Sequence, residues 1–278
     1  MINLLFAGNY KVFDGILTCL LSILKRSKED TYRVYILTMD LPRMNSSFLA
    51  ISDEQVSVLQ KTMKKYNCQN KVIKIDVKEL YEREFAYCPN ESAYCSPYTL
   101  LRLLSDLIEE IPDKILYLDA DIMFNKDVHL LYDTDIKDYE YAACNDHYGK
   151  YLVRYDYINA GVLLLNMKKI KETQLLKKAR SLIKKEKLIF ADQSAIYRNT
   201  LKKKMLPQKF NDQKFLHSHT VVRHFSKRLM YLPYPHLENI KQWNVEKVHK
   251  VFKYHQFDDI LNEYLLIKEE SEVQKNEK

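Results

Sequence analysis

Short apolar runs alternate with longer stretches in which apolar residues recur every three or four positions, and this rhythm holds through the first 120 residues. Ile2–Ala7 is apolar apart from Asn3, as expected of a strand covered on both faces. In Phe13–Lys25 the residues Ile16, Leu17, Leu20, Leu21 and Leu24 share one helical face, and a basic last turn predicts its end. Arg33–Thr38 and Lys71–Val77 read as strands on either side of a helix, Asp53–Tyr66, capped by Ser52 or Asp53. Ser96–Glu110 predicts a helix with Pro97 in its first turn and Pro112 as its stop, followed by a fourth strand, Lys114–Leu118. Strands alternating with helices predict an α/β fold with a doubly wound, mostly parallel sheet flanked by helices.

Beyond Asp121 the pattern is less regular. Tyr141–Asn145 and Ala160–Asn166 predict strands, and Lys168–Lys187 and Asp192–Thr200 predict helices. Leu206–Pro235 mixes short strands with loops, while Ile240–Lys253 and Phe257–Lys268 predict two amphipathic helices. The polar tail Glu269–Lys278 predicts disorder. The economical division is a catalytic domain over 1–235, a helical C-terminal extension over 236–268 packed on it, and an unstructured tail over 269–278.

Candidate chemistry first appears at the end of the fourth strand. Asp119 and Asp121, separated by Ala120, follow the run Ile115–Leu118 directly. In extended backbone the side chains at i and i+2 point the same way, so the two carboxylates can converge on one cation. The carboxyl ends of parallel strands are also where open α/β sheets place ligands. Hard oxygen donors on few protein groups favour Mg²⁺ or Mn²⁺, with positions left for water or diphosphate oxygens. An isolated Asp-x-Asp is equally consistent with a solvated turn or a helix cap.

Composition narrows the classes. Only 4 of 278 residues are glycine, so neither a P-loop nor a G-x-G-x-x-G turn can be written. Any bound phosphate must then be held by metal and basic side chains. The net charge of +7, with lysines concentrated between Lys168 and Lys204, reads as solvated helix faces. It also suits anionic substrates or an anionic membrane surface. No zinc-finger spacing or aromatic-basic interleaving accompanies it, so nucleic acid is not an expected partner. Five cysteines lack paired metal spacing; Cys88 and Cys95 could bridge a loop, but free thiols in a reducing compartment are the simpler reading. Without a basic leader or a span of ~20 apolar residues, the expected location is cytoplasmic, with peripheral attachment to the inner face of the membrane as a variant.

Four other segments carry candidate residues. Asn159-Ala160-Gly161 puts a scarce glycine at the start of a buried strand, where backbone can approach a ligand or simply pack closely. Asp192-Gln193 opens a helix; capping accounts for the Asp and not for the Gln. His224 lies among Val221, Val222 and Phe225, where a hydrogen-bonded core histidine is the ordinary explanation. Arg102 sits on a helix otherwise rich in leucine and needs a partner.

In this order, Phe6-Ala7-Gly8-Asn9-Tyr10, Arg102, Leu116–Asp121, Asn159–Asn166, Asp192-Gln193 and His224-Phe225 resemble glycosyltransferase family 8, over residues 2 to about 225. The resemblance implies a GT-A fold, a UDP-hexose donor (glucose or galactose), Mn²⁺ or Mg²⁺, and retention of anomeric configuration. It implies metal ligation by Asp119, Asp121 and His224, and uridine contacts from Ala7, Gly8 and Asn9. Arg102, Ala120, Asn159, Ala160, Gly161, Asp192 and Gln193 would lie around the donor, with Asp146 on the sugar and acceptor side. The acceptor would be a glycan, a lipid-linked glycan or a glycoprotein. The family's phosphate-binding lysine, usually in a Gly then Lys-Pro-Trp stretch after the histidine, has no direct match. Lys241, in Lys241-Gln242-Trp243, fits if an insertion loops out; Lys227 or Arg228 are the alternatives.

Such a site favours departure of UDP by neutralising charge rather than by proton transfer. Gln193 and Asp192 are the candidates beneath the anomeric carbon, and glutamine's poor nucleophilicity favours front-face attack over a covalent intermediate. Two other classes fit less of the chain. One is a non-catalytic module that binds a nucleotide sugar. The other is a metal-dependent phosphohydrolase with Asp119 as nucleophile and Asp121 as acid.

Overall fold

The computed structural model describes residues 1–27, 30–92, 96–230 and 234–276. Its centre is a seven-stranded sheet built from β1 (Ile2–Ala7), β2 (Tyr32–Thr38), β3 (Lys71–Asp76), β4 (Lys114–Leu118), β6 (Tyr141–Asn145), β7 (Ile158–Asn166) and β8 (Lys203–Leu206). The order is β3-β2-β1-β4-β7-β6-β8. The first four strands are parallel, as is the β6–β8 pair, while β7 runs antiparallel to both β4 and β6. The sheet is therefore mostly parallel, as the sequence predicts, with one reversed strand beside β4. That reversal matters because it brings the start of β7 to the end of β4.

Period-two alternation sorts the strand residues into two cores. Leu4, Phe6, Val34, Ile36, Leu116 and Leu118 pack on α1 (Phe13–Arg26) and α2 (Asp53–Tyr66). Leu5, Tyr35, Leu37, Ile115 and Tyr117 face the helical segment 97–107. Each buried Leu or Ile contributes roughly 1.5–3 kcal/mol. At the start of α2, Ser52 is the cap: its side chain accepts from the Gln55 N–H at 3.2 Å, and the Gln55 side chain accepts from the Ser52 N–H at 3.0 Å.

Several predicted elements differ in form. Ser96–Glu110 is a 3-10 helix, Pro97–Leu107. Three residues per turn align Thr99, Arg102 and Ser105 on one edge, with Arg102 Nε donating to the Thr99 carbonyl at 3.1 Å and Ser105 Oγ to the Arg102 carbonyl at 2.8 Å. A helix α3 (Lys78–Phe85), absent from the sequence reading, buries its own Tyr81 and Phe85. Lys168–Lys187 is two helices, α4 (Met167–Thr173) and α5 (Leu175–Lys185), broken at Gln174 with φ 58°. Asp192 is not a cap: α6 (Ala191–Asn199) begins one residue earlier, and Asp192 is buried in its first turn.

The C-terminal third departs further. A ribbon forms between β5 (Ile122–Phe124) and β9 (Val222–His224), and a second one between β10 (Arg228–Met230) and β11 (His236–Glu238). Ile240–Lys253 is not a continuous helix. Lys241-Gln242-Trp243 lies in a turn, followed by one helical turn, Val245–Lys247, and a π-turn, Val248–Phe252, that ends at Lys253 with φ 58°. The expected tail disorder is also corrected, since α7 runs from Asp258 to Asn276. The possible Cys88–Cys95 bridge falls on residue 95, outside the described residues.

Candidate active site

The ends of β1, β4 and β7 meet at one place. Leu5 pairs with Tyr117, and two residues further along each strand's path Ala7 and Asp119 line the same cavity. Leu118 pairs with Val162 across β7, and the Asp119 N–H donates to the Gly161 carbonyl at 2.8 Å. The β5–β9 ribbon then sets Ile122 opposite His224, with the Phe225 N–H donating to the Asp121 carbonyl at 2.7 Å. Strand pairing thus delivers His224 to Asp121 from a hundred residues away in sequence.

Ligand atoms of Asp119, Asp121 and His224 lie within 4.8 Å of one another. His224 Nε2 is 3.1 Å from Asp121 Oδ1, and Lys241 Nζ pairs with Asp121 Oδ2 while donating to the Phe225 carbonyl at 3.0 Å. Burial pushes the Asp121 carboxyl up, but its electrostatic and hydrogen-bond contacts with His224 and Lys241 outweigh it and hold the group far below the carboxylate range. Two carboxylates and an imidazole form a donor set suited to a divalent cation. Gly161 leaves the room: a Cβ there would sit 2.5 Å from His224 Cε1 and 2.8 Å from Asp119 Oδ2.

Arg102 finds its partners here. Its Nη2 donates to Asp119 Oδ1 at 2.9 Å, its Nε lies 3.1 Å from Asp192 Oδ2, and its Nη1 donates to the Ala160 carbonyl. The guanidinium stacks 4.3 Å from the Tyr117 ring centroid, and Tyr117 OH donates to Asp119 Oδ1 at 2.8 Å. Burial pushes the Asp192 carboxyl above its usual range, against the pull of Arg102. Gln193 Oε1 accepts the Ala160 N–H at 3.0 Å, so that oxygen is engaged with backbone.

Two cavities share Asp119, Asp121 and Lys241. The first, of 410 Å³, is bounded by Ala7, Gly8, Asn9, Arg102, Ala120 and Trp243, with Phe48 and Tyr98 adding aromatic walls. The second, of 300 Å³, is bounded by Asp146, Asn159, Phe190, Gln193, His224 and Arg228. Every site residue expected from the sequence therefore lines one cavity or braces its walls. Among the alternative cations, Arg228 pairs with Glu238 and packs 4.2 Å from the Phe252 ring centroid, and Lys227 lines the second cavity. The ribbon β10–β11 lies between His224 and Lys241 in the chain, and the turn after it returns Lys241 to Asp121.

Sequence reasoning missed Asn211, Tyr117, Trp243 and Gln242. Gln242 is fully buried and donates to the Ala120 carbonyl at 2.8 Å and to Thr18 Oγ1 at 3.1 Å, which pins the Lys241 turn to the Asp119–Asp121 backbone. Gly15 admits that approach, since a Cβ there would lie 2.4 Å from the Ala120 carbonyl oxygen and 2.7 Å from Trp243. A glycine inside an amphipathic helix was the available clue. A second trio, His249, His255 and Asp258, gathers at the start of α7, the two rings stacked at 4.9 Å with Asp258 bonded to both. Among the described residues, no helix is long and apolar enough to cross a membrane.

A mostly parallel sheet with one reversed strand beside β4, flanked by helices, is the GT-A type of fold. The family description "Glycosyl transferase family 8" matches residues 2–224, and the chain belongs to that family. It is 28% identical over 188 residues to a putative glycosyltransferase of Haemophilus influenzae, covering 64% of this chain and 52% of the relative. It is 27% identical over 165 residues to glycosyltransferase GlyA of Streptococcus pneumoniae, covering 59% of this chain and 20% of the relative. The matches thus span about half of the first relative's length and a fifth of the second's. Among solved structures, LgtC in an active-site mutant form superposes with a TM-score of 0.68 at 18% identity, covering 95% of each chain. GlyE of Streptococcus pneumoniae superposes at 0.63 with 21% identity, covering 95% of this chain and 63% of that one.

Proposed function

We propose that this protein is a retaining hexosyltransferase that moves glucose or galactose from a UDP-hexose to a glycan, lipid-linked glycan or glycoprotein, with Mn²⁺, or Mg²⁺ in its place. The reading rests on one observation, the convergence of Asp119, Asp121 and His224 at the floor shared by two cavities. The first cavity suits uridine and ribose, since Ala7, Gly8 and Asn9 offer backbone at a strand end and Phe48, Tyr98 and Trp243 offer flat apolar faces. The second suits the hexose and the acceptor. The catalytic unit is 1–235, and the extension 236–268 completes it with Lys241 and Trp243.

Asp119, Asp121 and His224 would hold a divalent cation, which when bound would supply Lewis-acid neutralisation of charge developing on the diphosphate. Arg102 holds Asp119 in place and joins it to Asp192. Lys241 lines both cavities beside Asp121 and would add a positive group for the leaving diphosphate. Because Gln193 Oε1 is bonded to the Ala160 N–H, its role is to shape the donor pocket, which favours front-face attack. A phosphohydrolase would use Asp119 as nucleophile, yet its Oδ1 is engaged by both Arg102 and Tyr117.

Titration calorimetry with UDP-glucose and UDP-galactose, with and without Mn²⁺, tests this. Binding that strengthens at least tenfold with Mn²⁺, together with UDP release when acceptor is added, is the expected result. No response to either donor would sink it. Attachment to the inner face of a membrane is tested separately, by sedimentation with anionic vesicles.

A further inference from the structure

Behind His224 runs a line of hydrogen-bonded polar side chains, from the half-buried Asp146 and the buried Asn159 on the wall of the second cavity to the fully buried Asn211. Asp146 Oδ1 accepts the backbone N–H groups of Tyr148 and Gly149 at 3.1 and 2.6 Å, and its Oδ2 accepts from Asn159 Nδ2 at 2.9 Å. Asn159 Oδ1 accepts from the Gly161 N–H at 3.0 Å and from Asn211 Nδ2 at 2.9 Å. Asn211 Oδ1 faces His224 Nδ1 at 3.0 Å, and Asn211 is fully buried.

Each direction in this line is forced. A backbone N–H can only donate and a carboxylate can only accept, so Gly161 and Asp146 together fix which end of the Asn159 amide is oxygen. Turning that amide over would set its NH₂ against the Gly161 N–H. The fixed Asn159 oxygen then draws the Asn211 NH₂ towards itself, leaving the Asn211 oxygen towards His224. An oxygen with no proton of its own requires one on Nδ1.

The opposite side of the ring pulls the other way. Asp121 Oδ1 lies 3.1 Å from Nε2 and, acting alone, would hold the neutral imidazole's proton there. A proton on Nε2 blocks the electron pair that a cation at Asp119 and Asp121 needs. We propose that Asp146, Asn159 and Asn211 form a polarised relay that overrides Asp121, fixes neutral His224 as its Nδ1–H tautomer and turns the Nε2 electron pair to the cation, with Asn211 the decisive positioning residue. The relay rests on the functional reading above for its purpose, and on the hydrogen-bond directions alone for its existence. Partners of this kind behind a histidine ligand typically govern metal affinity by 10- to 100-fold.

The test uses the full chain labelled with ¹⁵N-histidine, at a pH where His224 is neutral, with its resonance assigned by loss in His224→Gln. Nitrogen–proton correlation spectra should show Nδ1–H in the wild type and in Asn211→Asp, which keeps an acceptor against Nδ1, and Nε2–H in Asn211→Ala. Mn²⁺ titration followed by the electron paramagnetic resonance of the free ion should show affinity about 10- to 100-fold weaker for Asn211→Ala. Asn211→Asp should stay within a few-fold of wild type. Nδ1–H persisting in Asn211→Ala, or Mn²⁺ affinity equal to that of the wild type, overturns the relay. A wild type that binds no Mn²⁺ would instead refute the functional reading, and the spectra would still decide the tautomer.

Discussion

Gly161 and His224 are in a contact that leaves no space for a methyl group: a Cβ on residue 161 would stand 2.5 Å from His224 Cε1. No positive φ is involved, so glycine is required here for room and not for backbone freedom. His224 cannot retreat cheaply, because it is buried and tied to Asn211. Gly161→Ala should therefore displace the imidazole, costing about 1–3 kcal/mol of stability from overpacking. Mn²⁺-stimulated turnover of UDP-hexose should fall at least 100-fold, measured as UDP release. A variant with wild-type kinetics would show that His224 does not need its present position.

Arg102 serves two carboxylates, and removing it leaves the buried Asp192 without its cation and the partly exposed Asp119 without its brace. Arg102→Met should cost about 3–5 kcal/mol in denaturant unfolding, the usual penalty for breaking a buried pair from one side. Adding Asp192→Asn should recover at least about 1 kcal/mol of that loss, because the residues share one network. Strict additivity in the double-mutant cycle would contradict the contact.

Asp192 also gives a pH dependence of defined sign. Its folded carboxyl is raised above the unfolded value because burial outweighs the pull of Arg102. Stability from this group is therefore greatest on the acid side and declines as pH rises through the folded titration. Asp192→Asn has no such titration. Its melting temperature relative to wild type should rise from about pH 4, the unfolded carboxyl range, towards neutrality. A difference that is flat or falls with pH would show that pairing dominates over burial.

Much of this could be read in the chain because the informative features are local. Four apolar residues before an Asp-x-Asp place two carboxylates at a strand end, and the apolar run Ile2–Ala7 marks a strand covered on both faces. What could not be read depends on partners distant in sequence. Tyr117 looks like an ordinary core aromatic until Arg102 stacks on it. Asn211 has no pattern around it, since its role comes from Asn159 and His224, which reach it through different strands. Lys241 was placed on an expected helix, whereas burial of Gln242 against Ala120 and Thr18 selects a turn. Helical spacing of apolar residues cannot register a glutamine that docks by its amide.

Lys241 occupies Asp121 Oδ2, one of the oxygens that a cation at this site would claim. The lysine is about a quarter exposed, so its ammonium can move without unfolding the turn that Gln242 anchors. A positive side chain on a candidate ligand competes with a cation for that ligand, yet the same charge is favourable once a diphosphate is present. Lys241→Met should therefore act with opposite signs on two measurements. Mn²⁺ affinity of the protein without nucleotide should rise several-fold, read by titration of the free-ion resonance. Turnover of UDP-hexose should fall about 100- to 1,000-fold, comparable to removing one donor from an electrostatic site. A fall in both would mean that Lys241 supports the ligand geometry. A change in neither would transfer the phosphate-binding role to Lys227 or another cation of the second cavity.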